Sequence, residues 1–241
     1  MDLASLVSAG SKRAFKAPRD LRTNIWHYMD FTNLVAMFEE RGLFLSRADS
    51  LDDKFEGSMS RPTKDYVLNG QRLTPEEYGK LLRRVRACSY VHCWHMSDHE
   101  SAAMWQLYSS ASQSVCLQST YERLRRTLPE DVHIATINYI SYEQDKIPFD
   151  NLYWPLLHKR KSFEHERELR ALYGDVRSLE RNESSKDASW LRRVDLEDLI
   201  ERIYVSPWSN DWFTDLVRKV VRRYKLDIPV HRSVLDQEPI L

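Results

Sequence analysis

The chain has 241 residues, with 36 Lys and Arg against 36 Asp and Glu, and 42% of its residues are hydrophobic. This is enough apolar material for a core, whereas no apolar run reaches the length of a transmembrane helix. A zero net charge disfavours a protein dedicated to coating DNA, and three cysteines do not make a disulfide framework. We therefore expect a cytoplasmic protein that does not enter a membrane.

The N-terminal stretch, residues 1–22, is polar and basic. We predict an arm there, with a short helix over residues 3–9, followed by a single domain over residues 23–241. The domain mixes short apolar strands with amphipathic helices. Strands are predicted over residues 24–29, 43–46, 88–95, 115–117, 133–142, 169–173 and 203–205. Helices are predicted over residues 32–41, 75–86, 100–109, 120–127, 196–203 and 211–224. The order is not a regular βαβ repeat, so we expect an α+β fold with mixed or antiparallel strands surrounded by helices.

Three local signals place helix ends. Thr74-x-x-Glu77 is a capping box with Pro75 at the first helical position. Ser119-x-x-Glu122 is a second box, which makes Ser119 the expected N-cap of the next helix. Gly42 is the expected C-terminal cap of the first long helix.

Nucleotide-binding loops rich in glycine are missing from the sequence. There are six glycines, and neither G-x-G-x-x-G nor G-x-x-x-x-G-K-[ST] occurs. Dinucleotide folds and P-loops are both disfavoured.

A cysteine and histidine cluster is the first candidate for chemistry. It contains Cys88, His92, Cys93 and His95, and His99 follows. On a strand these side chains point to opposite faces, and no C-x-x-C or H-x-x-x-H pair closes a tetrahedron. Buried cysteines on a core strand are the favoured interpretation, and we expect no metal.

An acidic run is the second candidate. In an extended strand Glu164, Glu166, Glu168 and Arg170 share one face. Such carboxylates can orient a ribose hydroxyl, stabilise a cationic transition state or hold a metal. A solvated face with weak ion pairs is the simpler alternative.

Two further groups have weaker signals. His27 lies between Trp26 and Tyr28 on the first strand, which modestly favours a pocket position. A basic stripe on the last helix can contact phosphates, although a solvated helix face is the simpler interpretation. The stripe consists of Arg218, Lys219, Arg222, Arg223 and Lys225.

Several segments together resemble the bacterial "domain of unknown function 2971" family, over about residues 24–235. They are residues 26–29, 43–57, 92–95, 100–108, 115–120 and 159–170. The sequence departs from the family pattern at His27, where the family often has arginine, and at Lys54, where it often has proline.

The layout also distantly resembles the ADP-ribosyltransferase superfamily. That resemblance implies NAD as substrate, and Glu166 or Glu168 as the catalytic acid that stabilises an oxocarbenium-like charge. Glu168 is favoured because the glutamate two residues before the arginine is the more regular one in the family pattern. His27 would anchor the ribose, and Trp105 or Tyr108 would stack on nicotinamide. The remaining residues implied to bind NAD are Tyr28, Arg47, Ser119 and Thr120.

Three functions remain open from the sequence. The first is an ADP-ribosyltransferase acting on a protein or nucleic-acid acceptor. The second is a non-catalytic binding or regulatory module, in which an acidic loop over residues 50–59 and residues 164–170 form an ion network that binds a partner or locks the core. The third is a nuclease that uses metal ions bound by Asp52, Asp53, Glu56 and the Glu166/Glu168 pair.

Overall fold

The computed structural model describes residues 11–68, 74–108, 113–183 and 187–237, together with Pro239. The predicted helix over residues 3–9 lies outside these residues. Within them, no helix has the length and apolar character needed to span a membrane.

The described residues form helices and strands without a regular βαβ order, and most of the strand pairs are antiparallel, which confirms the α+β fold class. The strands are β1 (Asn24–Asp30), β2 (Gly42–Arg47), β3 (Ser89–Met96), β4 (Ser114–Thr120), β5 (Val132–Thr136), β6 (Asn138–Ile140), β7 (His158–Arg160), β8 (Glu168–Gly174), β9 (Ser189–Arg193), β10 (Arg202–Val205) and β11 (Val230–Arg232). The helices are α1 (Ser11–Ala14), α2 (Phe31–Glu40), α3 (Arg61–Leu68), α4 (Pro75–Ala87), α5 (Ala102–Tyr108), α6 (Tyr121–Thr127), α7 (Val176–Arg181), α8 (Leu196–Leu199) and α9 (Asp211–Arg223).

The chain divides into two compact units. The first unit takes its described residues from Met1–Ala17, Leu45–Cys93 and Glu130–Trp190, and the second from Pro18–Phe44, Trp94–Pro129 and Leu191–Leu241. The extent of the predicted arm and of the single domain stays a prediction. In the first unit Ala14 is completely buried and Phe15 stacks on His133, so the described part of residues 11–17 packs against the core.

The first unit is built around antiparallel pairing of β5 with β8, where Ile134 faces Ala171. β6 pairs in parallel with β7, and β2 pairs with β3 through Arg47 and Tyr90. Its core is apolar and continuous, and β8 contributes Leu172 to it. The strand β8 is therefore held on its apolar side, and Glu168 stands at its first position.

The second unit contains a run of paired strands in the order β11, β10, β4 and β1. β4 pairs antiparallel with both β1 and β10, whereas β10 and β11 are parallel. The end of β3 adds to β1, where Trp26 faces His95. All of β4 except its last residue is buried, as expected for a central strand.

Helix α4 has the predicted capping box. The Thr74 hydroxyl accepts from the Glu77 N–H, and the Glu77 carboxylate accepts from the Thr74 N–H. The prediction for α2 was wrong in its cap: Arg41, at φ 48°, takes the left-handed position, and Gly42 begins β2. Gly42 is required for another reason, since a Cβ there would lie 2.5 Å from the Arg192 carbonyl oxygen.

Candidate functional site

The acidic run does not form one continuous strand. Residues 161–166 form a 3₁₀ helix, and Arg167 at φ 40° turns the chain into β8. The predicted shared face for Glu164, Glu166, Glu168 and Arg170 is therefore wrong, and Glu164 is exposed. The turn nevertheless buries Glu166 and Glu168 on either side of Arg167.

Five buried charged residues of the first unit form what we term the ion cluster. They are Glu56, Lys159, Glu166, Glu168 and Arg170. The acidic loop supplies Glu56, β7 supplies Lys159, the 3₁₀ helix supplies Glu166, and β8 supplies Glu168 and Arg170. Three carboxylates thus face two cations in an environment where an unpaired charge is costly.

Arg170 is the centre of the cluster and is almost completely buried. Its Nε donates to Oε1 of Glu168 at 2.6 Å, and its Nη2 donates to Oε2 at 2.9 Å. The same Nη2 donates to Glu56 at 2.6 Å, and Nη1 donates to the Leu156 carbonyl at 2.7 Å. The guanidinium therefore fixes the plane of the Glu168 carboxylate by a two-point contact.

Lys159 links all three carboxylates. Its ammonium lies 2.5 Å from Glu166, 3.3 Å from Glu56 and 3.5 Å from Glu168. It also lies 4.9 Å from the centre of the Phe163 ring. Lys159 thus supplies the second positive charge that keeps the carboxylates together.

The ion cluster sets the protonation of its members. Burial opposes ionisation of Glu168, but the charges of Arg170 and Lys159 outweigh it and lower the pKa of this carboxyl. Burial alone would lower the pKa of Lys159, yet Glu168, Glu56 and Glu166 raise it. Glu168 is therefore a carboxylate, and Lys159 an ammonium, at neutral pH.

The surroundings of Glu168 hold its backbone as well. Its N–H donates to the Tyr139 hydroxyl at 2.8 Å, and its carbonyl accepts from the Ile137 N–H at 3.0 Å. Burial and the nearby Glu168 raise the pKa of the Cys93 thiol, which is therefore neutral. Cys93 thus borders the carboxylate as a thiol and adds no charge to it.

Asp53 and Arg160 form a second ion pair close in sequence to the ion cluster, since Asp53 precedes Glu56 by three residues and Arg160 follows Lys159. Asp53 is buried and accepts from Arg160 through both carboxylate oxygens, at 2.8 and 3.2 Å. The Arg160 guanidinium lies 4.6 Å from the ring centre of Phe55 and 5.3 Å from that of Phe163. This pair satisfies the charge of Asp53 outside the ion cluster.

The second unit holds an aromatic cluster made of Trp26, Tyr28, Met104, Trp105 and Cys116. The Trp105 ring meets Tyr28 edge-on at 5.0 Å and is completely buried, and its Nε1 donates to Glu100 at 3.0 Å. The Tyr28 hydroxyl accepts from the Ser101 N–H at 2.9 Å. Burial raises the pKa of Tyr28, so its hydroxyl stays protonated.

The other residues predicted to bind substrate lie in varied surroundings. His27 is half-buried on β1 and packs against Trp94 at 5.4 Å. Arg47 pairs with Asp49 at 2.7 Å, and this hydrogen bond raises its pKa. Tyr108, at the end of α5, is 47% exposed.

Ser119 and Thr120 have different hydrogen-bond partners at the start of helix α6. The expected N-cap at Ser119 is wrong, because the hydroxyl that accepts from the Arg123 N–H belongs to Thr120. The Ser119 hydroxyl is buried and donates to the Leu199 carbonyl at 2.6 Å. The NAD-binding roles of both residues stay predictions.

The structure adds partners that sequence reasoning missed. The sequence assigns no role to Lys159, groups Glu56 with the nuclease carboxylates, and places Cys93 only on a core strand. Among the described residues, no group of three or more His, Cys, Asp or Glu is arranged to hold a metal ion. The nuclease carboxylates Glu56 and Glu168 instead bind the side chains of Arg170 and Lys159.

No protein-family model matches the chain, and no curated protein matches it significantly. Membership of the family with domain of unknown function 2971 therefore stays a prediction.

Similar solved structures are those of Thermus sp. 2.9 DarT. The complex with carba-NAD+ has a TM-score of 0.44 and 11% identity, covering 91% of this chain and 98% of that chain. The complex with NAD+ has the same TM-score and identity, covering 92% and 100%. The complex with ADP-ribosylated ssDNA has a TM-score of 0.43 and 12% identity, covering 92% and 98%. Similarities of this size say nothing about what this chain binds or does.

Proposed function

We propose that this protein is an NAD-using ADP-ribosyltransferase, with Glu168 as the catalytic carboxylate and a protein or nucleic acid as acceptor. The observation that carries the proposal is the ionised carboxylate of Glu168 at the start of a buried strand, fixed by Arg170 and Lys159. The resemblance of the sequence to the superfamily, which gives this role to Glu166 or Glu168, supports it.

A fixed carboxylate suits the chemistry of this reaction. The bond between nicotinamide and ribose breaks with its electron pair leaving on the nicotinamide nitrogen, and the ribose carbon gains positive charge. An O–H or N–H group of the acceptor then bonds to that carbon and releases its proton to solvent. Glu168 stays ionised throughout and stabilises the positive charge, since its orientation is already set by Arg170.

Access to the carboxylate requires movement. The Glu168 side chain is 4% exposed, and Lys159 is the most exposed member of the ion cluster at 9%. In the proposed reaction, the Lys159 side chain moves away from Glu168 and the ribose takes its place. Glu56 is a positioning residue, because it contacts both cations that hold Glu168.

The other proposed NAD-binding residues differ in how directly they can be reached. Arg47 and Tyr108 are accessible to solvent and can contact a ligand as they stand. Trp105 and Ser119 are completely buried, so contact with NAD needs a rearrangement around them. We keep His27, Tyr28 and Thr120 in the proposed set on the resemblance alone.

The test is release of nicotinamide from NAD by the purified chain, with and without cell lysate as a source of acceptor. Glu168→Gln should abolish release, and Glu168→Asp should lower it severely while keeping the charge in the ion cluster. Glu164→Gln is the matched control, because Glu164 is an exposed glutamate of the same segment. Circular dichroism and urea unfolding of each variant separate loss of activity from loss of folding.

Burial of the whole ion cluster also favours a second candidate, a binding or regulatory module whose ion network locks the core. In that case wild type releases no nicotinamide under any condition, and Glu168→Gln loses stability only. Release by wild type that persists in folded Glu168→Gln would overturn the role of Glu168.

A further inference from the structure

The outer face of helix α9 carries an unbalanced set of positive charges. Residues 215–228 contain five basic and two acidic residues, in a chain whose total charge is zero. The five are the basic stripe, Arg218, Lys219, Arg222, Arg223 and Lys225, and all are exposed. The apolar face of the helix is buried through Phe213, Val217 and Val221.

Most of the stripe is not neutralised within the protein. Arg218 pairs with Asp215 at 3.2 Å. Over the part of the chain that the structure describes, no acidic side chain forms an ion pair with Lys219, Arg222, Arg223 or Lys225. Two nearby carboxylates are engaged elsewhere: Glu39 accepts from the Tyr224 hydroxyl, and Glu197 accepts from the Asp227 N–H.

The spacing of these charges opposes helix stability. Arg218 with Arg222, and Lys219 with Arg223, are like charges four residues apart, an arrangement that destabilises a helix. The helix dipole favours cations in the last turn, which accounts for Arg222 and Arg223. It does not account for Lys219, which lies earlier. An external anion would relieve the repulsion.

Two features beside the stripe suit a nucleotide strand. Trp212 is 54% exposed, and its spacing of seven and eleven residues from Lys219 and Arg223 places all three on one helix face. A cavity of about 220 Å³ lies beside Arg218 and Arg222, and its lining includes the apolar Leu226 and Ile228 and one acidic residue, Asp227. A cationic surface with an exposed aromatic ring is the usual means of holding single-stranded nucleic acid.

We infer that the outer face of α9 binds single-stranded nucleic acid, with Trp212 stacking on a base and the basic stripe contacting phosphates. A membrane surface fits less well, because the apolar face of the helix is buried and cannot insert. The inference goes beyond the proposed function, since such binding requires neither NAD nor Glu168.

The experiment is fluorescence anisotropy of the full chain, without NAD, against labelled DNA and RNA strands of about 12 nucleotides, a length within the range that such surfaces cover. We expect binding that weakens as salt is raised. Lys219→Gln/Arg223→Gln should weaken it about tenfold and lower the salt slope by about 1.4, since each phosphate contact contributes about 0.7. Trp212→Ala should weaken binding by about tenfold.

The matched control is Lys80→Gln/Arg83→Gln, which removes the same charge from exposed positions of helix α4. It should bind like wild type. The inference is overturned if wild type does not bind at low salt, or if the control loses as much affinity as the α9 variant. Tighter binding to a double-stranded probe than to the single strand, with no effect of Trp212→Ala, would overturn it too. So would binding to phosphatidylserine vesicles but not to nucleic acid. Nicotinamide release is a separate measurement. Its absence would contradict the role proposed for Glu168, but it would not change the conclusion about nucleic-acid binding.

Discussion

The ion cluster of the first unit and the aromatic cluster of the second are both buried, yet they depend on different forces. In the ion cluster every member is held by charged neighbours, and Arg170 alone makes four short hydrogen bonds. In the aromatic cluster the rings pack by shape, and polar atoms enter only at the edges, as where Trp105 meets Glu100. Removing one partner from the ion cluster should therefore lower the free energy of unfolding strongly, whereas the aromatic cluster should tolerate a substitution that keeps the side-chain volume.

The strongest way to break the ion cluster is Arg170→Met. The substitution leaves Glu56 and Glu168 with Lys159 as their only cation in the cluster. We expect the free energy of unfolding to fall by about 3–5 kcal/mol, measured by urea denaturation. Arg61→Ala, at an exposed arginine of the same unit, should change it by less than about 0.5 kcal/mol. A small effect of Arg170→Met would show that the carboxylates are protonated or solvated.

Acid should separate the two clusters further. The pKa of Glu168 is lower in the folded chain than in the unfolded chain, so its contribution to stability is complete above the unfolded value of about 4. That contribution is lost as the pH falls through the lower, folded value. We expect Glu168→Gln to be less stable than wild type at pH 7 by about 2–4 kcal/mol, with the gap closing below pH 4. A gap that stays constant from pH 7 to pH 3 would contradict this ionisation.

A milder change tests the aromatic cluster. Trp105→Phe keeps an aromatic ring but removes volume and the N–H that Glu100 accepts. We expect a loss of about 1–3 kcal/mol in unfolding free energy. Tyr108→Ala, at the exposed end of the same helix, is the control and should have little effect. A larger loss at Trp105 than at Arg170 would reverse the comparison.

Alkali should act on the aromatic cluster through Tyr28. Burial raises the pKa of Tyr28 in the folded chain, so its contribution to stability is complete below the unfolded value of about 10 and is lost as the pH rises above it. Tyr28→Phe removes the acceptor of the Ser101 N–H, and we expect a cost of about 1 kcal/mol at pH 7. The difference between the two proteins should shrink above pH 10, as measured by urea denaturation across pH 8–11.

Local signals in the sequence predicted local structure well. The capping box at Thr74 and Glu77 fixed the start of α4, because both partners lie within one turn. The same reasoning chose Ser119 over its neighbour Thr120, since spacing alone cannot say which hydroxyl caps helix α6 and which donates to the Leu199 carbonyl at the end of α8. The apolar spacing in α9 predicts that Phe213, Leu216, Val217, Val220 and Val221 face inward; Phe213, Val217 and Val221 are buried, whereas Leu216 and Val220 are partly exposed.

The acidic residues of the candidate site could be predicted from the sequence, but their contacts could not. The sequence indicates Glu166 and Glu168 as candidates, but it predicts them on one strand. The left-handed turn between them is at Arg167, and no glycine there marks it in the sequence. It gave no means of joining Glu56 to Arg170, which depends on how the acidic loop folds back onto β8. Lys159 could not be assigned for the same reason, since its three partners come together only in the folded unit.

The contact between Glu56 and Arg170 joins residues 114 positions apart in the chain. Contacts of such long range form late, because closing the intervening chain costs entropy before any bond is gained. The Arg170 guanidinium should therefore contact Glu56 only after most of the first unit has folded. Substitutions at Glu56 should accordingly speed unfolding far more than they slow refolding. The ion cluster therefore stabilises the protein mainly by slowing its unfolding.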